Sequence, residues 1–252
     1  MKDVEISVIM PAYNAGKYIK EAISSVIDQT GGYATETIVV NDNSSDDTRA
    51  IVESVQRDYP DSSIVLINNE CNLGAGGSRN LAIARAKGKY VAFLDSDDYW
   101  STDKLARQMP LFENCGAEFA YGARSLIDPD GKPVKAIIPV PLKIGYNQLL
   151  RTNVIPCGSV IVKKDILPDP PFVRDDIHED YILWLRLLQP GRIAYGINEP
   201  LLYSRLAPGG KSRNKLKSAW MNYQVYRHFE IPVCKALVLM ISYAIAGFKK
   251  YK

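Results

Sequence analysis

Through its first hundred residues the chain alternates short apolar runs with stretches in which apolar positions recur every three to four residues. The runs lie at 6–10, 37–40, 64–67 and 90–94. Runs of this length bounded by turn residues predict buried strands. Between them, 17–29 places Ile19, Ala22, Ile23, Val26 and Ile27 on one face of a helix. Helices are predicted again over 45–57 and 77–85. Four βα units in succession predict fold class α/β, with a mostly parallel central sheet flanked by helices.

Beyond residue 99 the pattern loosens. It predicts a helix over 103–112, a strand near 119–121 and a hairpin tip at Asp128-Pro129-Asp130-Gly131. A short helix over 142–150, a strand at 159–162, a helix over 179–188 and short strands near 192–194 and 201–203 follow. Proline and glycine are frequent here, as expected of a loop-rich substrate-binding half. From 214 onward the pattern is helical. Residues 236–248 carry no charge and precede Lys249, Lys250 and Lys252. A membrane-spanning helix needs roughly 20 apolar residues, so this tail predicts in-plane attachment at a membrane surface, or packing on the body or a second subunit.

Charge sharpens the picture of the tail. The net charge is +3, yet from Tyr203 onward ten Lys/Arg face the single acid Glu230, and the preceding residues are net acidic. A basic, apolar tail predicts an anionic lipid surface as partner and disfavours nucleic acid. Four isolated cysteines (Cys71, Cys115, Cys157, Cys234) have no metal-type spacing and point to free thiols in a reducing compartment. The first residues run straight into a strand without a signal-peptide pattern, so a cytoplasmic location is expected.

The densest chemistry lies where the fourth run ends, in Leu94-Asp95-Ser96-Asp97-Asp98. Carboxylates at the C-terminal edge of an open α/β sheet lie where such sheets bind ligands, and hard oxygen donors suit Mg²⁺ or Mn²⁺ bound with a diphosphate. The same residues could instead cap the next helix. Pro11-Ala12-Tyr13-Asn14-Ala15-Gly16 offers backbone groups and an aromatic face to a base, or packs as an ordinary loop. Neither a GxGxxG nor a GxxxxGK[ST] motif is present, which argues against a dinucleotide fold and a P-loop NTPase. Asp42 ends the second run, where its carboxylate can accept from a base N–H. In Asn72-Leu73-Gly74-Ala75-Gly76-Gly77-Ser78-Arg79-Asn80 the glycines allow close backbone approach, and Arg79 can reach a diphosphate.

Taken in order, PAYN, VNDNSSDDT, NLGAGGSRN and YVAFLDSDDYW resemble the inverting family 2 glycosyltransferases of GT-A fold, over roughly residues 5–205. His178-Glu179-Asp180-Tyr181-Ile182-Leu183-Trp184 resembles that family's acidic motif on an acceptor-side helix. The tail is similar to that of bacterial enzymes building O-antigen or teichuronic-acid-type surface polysaccharides. The resemblance implies a nucleotide-sugar-binding half (1–98), an acceptor-binding half (99–205) and a basic amphipathic tail (206–252). Pro11, Ala12, Tyr13, Asn14, Asp42, Arg79, Asp95 and Ser96 would bind a UDP-sugar, Asp95 at the ribose. Asp97 would hold Mn²⁺ or Mg²⁺, supported by Asp98. Asp180 would be the catalytic base, with Glu179 and Trp184 shaping the acceptor site and His178 capping the helix. Arg205 and Ser212 would sit on a mobile loop that closes over the diphosphate. The acceptor implied is an undecaprenyl-diphosphate-linked glycan at the cytoplasmic face of the inner membrane. The competing expectations are a sugar nucleotidyltransferase, whose Gly-rich basic loop after the first strand is missing, and a non-catalytic nucleotide-sugar-binding scaffold, which would need a broken metal or base motif.

Overall fold

The computed structural model describes residues 3–206 and 215–250. It opens with β1 (Ile6–Ala12), α1 (Ile19–Ile27), β2 (Thr35–Asn41), α2 (Thr48–Asp58), β3 (Ser63–Asn68), α3 (Gly74–Arg85) and β4 (Tyr90–Phe93). Then come β5 (Tyr99–Trp100), α4 (Lys104–Asn114), β6 (Phe119–Ile127), β7 (Pro133–Ile138), β8 (Lys143–Ile144) and α5 (Tyr146–Leu149). The chain continues through β9 (Ile161–Lys163), α6 (Glu179–Leu188) and β10 (Ala194–Arg205), and ends in α7 (Lys215–His228) and α8 (Val233–Lys250).

One sheet joins all ten strands in the order β3-β2-β1-β4-β9-β6-β10-β5, with β7 beside β6 and β8 beside β10. The four βα units form its parallel half: β1 pairs parallel with β2 and β4, and β2 with β3. The other half is mixed, because β9 runs antiparallel to both β4 and β6. Parallel neighbours need a long crossover, whereas antiparallel ones can follow a short turn. The hairpin at Asp128–Gly131 makes β7 such a neighbour of β6.

The structure differs from the expected elements in four places. The two strands expected near 192–194 and 201–203 are the single strand β10, broken in register on either side of Pro200. Proline lacks the N–H a ladder needs, so the strand bulges there. The helix expected over 142–150 begins as β8, which pairs with β10, and turns helical only after Gly145. The two-residue strand β5 carries no periodic signal. Finally, α3 starts at Gly74 rather than Gly77. Gly74 has φ +77°, a left-handed conformation that favours glycine.

The sheet separates two apolar layers. On one side Ile6, Val8, Ile19, Ile23, Val52 and Leu105 pack under α1, α2 and α4. On the other, Ile9, Phe93, Phe119, Trp184 and Leu185 join α3, α6 and the C-terminal helices. Trp184 is fully buried there, its ring 5.6 Å from that of Phe93 and 5.2 Å from that of Phe119. Helix α8 buries Ala236 and Leu239 yet leaves Leu237, Val238 and Ile241 more than half exposed. Among the described residues, no helix is long and apolar enough to cross a membrane.

Candidate active site

The C-terminal edge of the parallel half gathers the loops after β1, β2 and β4. Asn14, at φ 48°, locks the first loop to the second: its Oδ1 accepts from the Ser45 backbone N–H at 2.9 Å, and its own N–H donates to Ser44 Oγ at 3.0 Å. Asp46 accepts from Gly16 N–H at 2.9 Å and Thr48 N–H at 3.0 Å. These bonds fix Ala12 in the core and hold Tyr13 on the rim, 57% exposed and open to stack.

Asp42 has a different role from the one expected. It is buried, and its Oδ1 accepts from Asn69 Nδ2 at 2.7 Å and from Leu73 N–H at 2.8 Å. Its Oδ2 accepts from Gly74 N–H at 2.9 Å. The carboxylate therefore anchors the chain entering α3 instead of standing free for a base N–H. The N-terminal amides of a helix have no partners inside it, and Asp42 supplies one.

Arg79 also departs from expectation. Rather than reaching out to a diphosphate, its buried guanidinium joins two carboxylates: Nη2 donates to Asp95 Oδ1 at 2.7 Å and Nη1 to Glu179 Oε1 at 3.1 Å. It lies 5.3 Å from the centre of the Phe172 ring. A planar, multi-donor cation is suited to bridging two acids in this way. Arg205 is likewise no mobile loop residue. It ends β10, where its backbone N–H donates to Asp98 Oδ1 at 2.8 Å and its Nε to the Asp97 carbonyl at 3.0 Å. Its Nη2 donates to Glu21 at 2.6 Å, and the guanidinium lies 4.2 Å from the centre of the Tyr18 ring. Pairing with β6 extends to Arg205, which is why a strand stands where a loop was expected. Ser212 lies outside the described residues.

The three acids after β4 thereby acquire distinct states. Asp95 is paired with Arg79, and Asp98 is buried, accepting from Ser204 Oγ at 2.9 Å as well as from Arg205. Burial, followed by repulsion from Asp97 and Asp95, pushes the Asp98 carboxyl well up. Asp97 has no ion-pair partner among the described residues, and burial together with Asp95 raises it to about 6. Ser96 sits between them, half-buried. A carboxylate raised first by burial and then by a like charge is one that a hard divalent cation would favour in its ionised form. Among the described residues no three His, Cys, Asp or Glu side chains converge on one point, so a divalent cation here would take Asp97 as its protein ligand and its remaining ligands from a bound diphosphate.

Across the edge, the first turn of α6 carries Glu179 and Asp180. Glu179 is tied to Arg79, whereas Asp180 makes one described contact, accepting from Tyr181 N–H at 2.7 Å. Burial and then Glu179 push the Asp180 carboxyl up to about 7, against the pull of Arg79. His178 stands at the helix cap without a capping bond of its own, its Nε2 3.3 Å from Ser218 Oγ of α7. Trp184 belongs to the core rather than to an acceptor surface: about one turn on from Asp180, it is fully buried against Phe93 and Phe119.

Several site residues carry no sequence signal. Cys157 shares the electrostatic field of Arg79, Asp95, Asp180 and Glu179, and burial holds its thiol well above the ordinary range. Asp175 accepts from the N–H groups of Gly76 at 2.6 Å and Gly77 at 3.2 Å. Asn80 Nδ2 donates to the Phe172 carbonyl at 2.7 Å, and Asn80 Oδ1 accepts from Phe172 N–H at 2.9 Å. All lie far from their partners along the chain, where spacing gives no guidance.

Comparison with known proteins shows the family and the fold. Residues 7–166 match the model of the family described as glycosyl transferase family 2. The chain is 37% identical, over 97% of its length and 96% of the relative's, to a putative teichuronic acid biosynthesis glycosyltransferase, TuaG, of Bacillus subtilis (strain 168). It is 38% identical, over 100% of its length and 96% of the relative's, to WfgD of Escherichia coli, a UDP-Glc:α-D-GlcNAc-diphosphoundecaprenol β-1,3-glucosyltransferase. Among solved structures, S. aureus TarS 1–349 in complex with UDP-GlcNAc superposes with a TM-score of 0.72 at 24% identity, covering 89% of this chain and 65% of that one. That likeness establishes the GT-A-type fold.

Proposed function

The chain belongs to glycosyl transferase family 2, and from that premise we propose an inverting transfer of a hexose from a UDP-sugar to a lipid-diphosphate-linked glycan, in the building of a surface polysaccharide. The observation that carries the reading is the asymmetry among the site acids. Arg79 neutralises Asp95 and Glu179, while Asp97, two residues from the first, and Asp180, next to the second, keep raised carboxyls. An inverting displacement needs a stabilised leaving group on one side of the anomeric carbon and a base on the other. Two raised carboxyls, one from the loop after β4 and one from the start of α6, support that division of labour.

In this reading Tyr13, with Pro11, Ala12 and Asn14, presents the platform for uracil, and Asp95 and Ser96 face the ribose and diphosphate. Asp97, supported by Asp98, would hold Mn²⁺ or Mg²⁺. The ion would supply Lewis-acid neutralisation of charge developing on the UDP leaving group, worth several kcal/mol. Asp180 takes the proton of the acceptor hydroxyl as that oxygen attacks, a step that typically contributes about 10²–10⁴-fold. A carboxyl near 7 is well matched to that task, since the best general base titrates near the working pH. Glu179, fixed by Arg79, borders the acceptor.

The names of TuaG and WfgD support a polysaccharide role and an undecaprenyl-diphosphate acceptor. The outward row Leu237, Val238 and Ile241 on α8, within a tail rich in Lys and Arg, supports peripheral attachment at the cytoplasmic face of the inner membrane. The test is UDP release from a panel of UDP-sugars, with Mn²⁺ or EDTA and with or without a lipid-diphosphate-GlcNAc acceptor. The proposal expects one donor to be turned over, dependent on metal and stimulated by acceptor. Measurable UDP binding with no turnover of any donor would favour a scaffold and defeat the transferase.

A further inference from the structure

The stretch 172–178 has no regular secondary structure, yet it delivers the two acids that open α6. Three fixings hold it, and all come from the first turns of α3. The N–H groups of Gly76 and Gly77 donate to the two oxygens of Asp175 at 2.6 and 3.2 Å. Asn80 grips Phe172 through both its amide oxygen and its amide nitrogen, at 2.9 and 2.7 Å. Arg79 reaches Glu179 at 3.1 Å, and its guanidinium lies 5.3 Å from the centre of the Phe172 ring.

The glycines of this motif belong to the same device. A Cβ on Gly76 would come within 2.5 Å of Asp175 Oδ1, and one on Gly74 within 2.8 Å of Asp175 Oδ2. Side chains at either place would push the carboxylate off the helix end. Helix N-termini attract anions because their amides are unpaired and the dipole is positive there. Here the anion is Asp175 of the same chain, 99 residues from Gly76. The motif that the sequence suggests for close approach to a ligand holds an internal strap.

We propose that Asp175 is a positioning residue for sugar transfer: docked on the start of α3, it fixes the strap 172–178 and thereby sets where Asp180 stands relative to Asp95 and Asp97. The inference rests on Asp180 acting as the base. It assigns the NLGAGGSRN motif to placing the acceptor-side acid rather than to binding the donor directly.

The test compares the full-length wild type with Asp175→Ala and Asp175→Asn in steady-state UDP release, together with hydrogen exchange of the strap. A displacement of about 1 Å at a reacting group can cost on the order of 10²-fold, so Asp175→Ala is expected to lower kcat by about 10- to 100-fold. Donor KM stays within about twofold, the split expected when an interaction acts in the transition state alone. The pH at which kcat is half-maximal moves, since the surroundings of Asp180 change. Asp175→Asn keeps an acceptor oxygen and recovers part of the loss. Residues 172–178 exchange faster in Asp175→Ala than in wild type. An unchanged kcat, a loss that falls wholly on donor KM, or unchanged protection of the strap overturns the proposal. A wild type that turns over no donor defeats the transferase reading instead, and the exchange of the strap then decides whether Asp175 holds it.

Discussion

Two acidic loops flank the β1 loop at the same sheet edge, one after β2 and one after β4, and they do different work. After β2, Asp42 and Asp46 have their oxygens taken by donors of the chain itself: Asn69, Leu73 and Gly74 for the first, Gly16 and Thr48 for the second. After β4, Asp95 and Asp98 are likewise satisfied, but Asp97 has no side-chain partner among the described residues, and burial beside Asp95 lifts it to about 6. The difference teaches that an acid-rich motif cannot be read as a binding site by composition. What separates a scaffold carboxylate from one free to meet a ligand is whether its lone pairs are already taken.

The largest effect expected from breaking this pattern comes at Arg79, which serves both sides of the site. Arg79→Ala leaves Asp95 and Glu179 without their shared cation, and removing one partner of a buried pair costs about 3–5 kcal/mol. Urea unfolding should register that loss, and turnover should collapse with it. Next in size is the contrast between the two loops. Asp42→Ala leaves the N–H groups of Leu73 and Gly74 without their acceptor, a loss of about 1–3 kcal/mol in stability. Asp97→Ala should leave stability unchanged or improved while abolishing metal-dependent UDP release. Equal destabilisation by the two substitutions would erase the distinction.

The smallest effect concerns pH. Asp97 and Asp180 hold their protons more tightly in the fold than in the unfolded chain. The unfolded carboxyls titrate near 4, so these two groups lower stability as pH rises from there through about 6 and 7. Asp180→Asn removes one such group and retains an acceptor for Tyr181 N–H. Its Tm should exceed that of the wild type at pH 8, with the gap closing at pH 4. A constant gap would mean that Asp180 is an ordinary carboxylate.

Much of the parallel half was legible from periodicity, because each βα unit carries its own pattern: Ile19, Ala22, Ile23 and Val26 bury one face of α1 as the spacing requires. The mixed half was less so. Pro200 interrupts β10 in sequence without ending it in space, and β5 at Tyr99–Trp100 exists only because β10 lies beside it. Among site residues, Arg79 joins Asp95 after β4 to Glu179 at the start of α6, a link between segments that the sequence shows separately. Such partners were not predictable. Arg79 binds an acid 100 positions away, and Arg205 reaches back 108 positions to the Asp97 carbonyl. A cation's local sequence shows that it could reach a diphosphate, but only the fold shows that a carboxylate already occupies it.

The account depends above all on Asp180 being a base poised near neutrality. The most direct measurement is kcat for UDP release against pH in the wild type and in Asp180→Asn, with UDP affinity measured on both. The account predicts that wild-type kcat rises with pH through a midpoint near 7. It also predicts that Asp180→Asn binds UDP as the wild type does but loses about 10²–10⁴-fold in turnover. Full activity in Asp180→Asn, or a wild-type rate that does not change between pH 5 and 8, would contradict it.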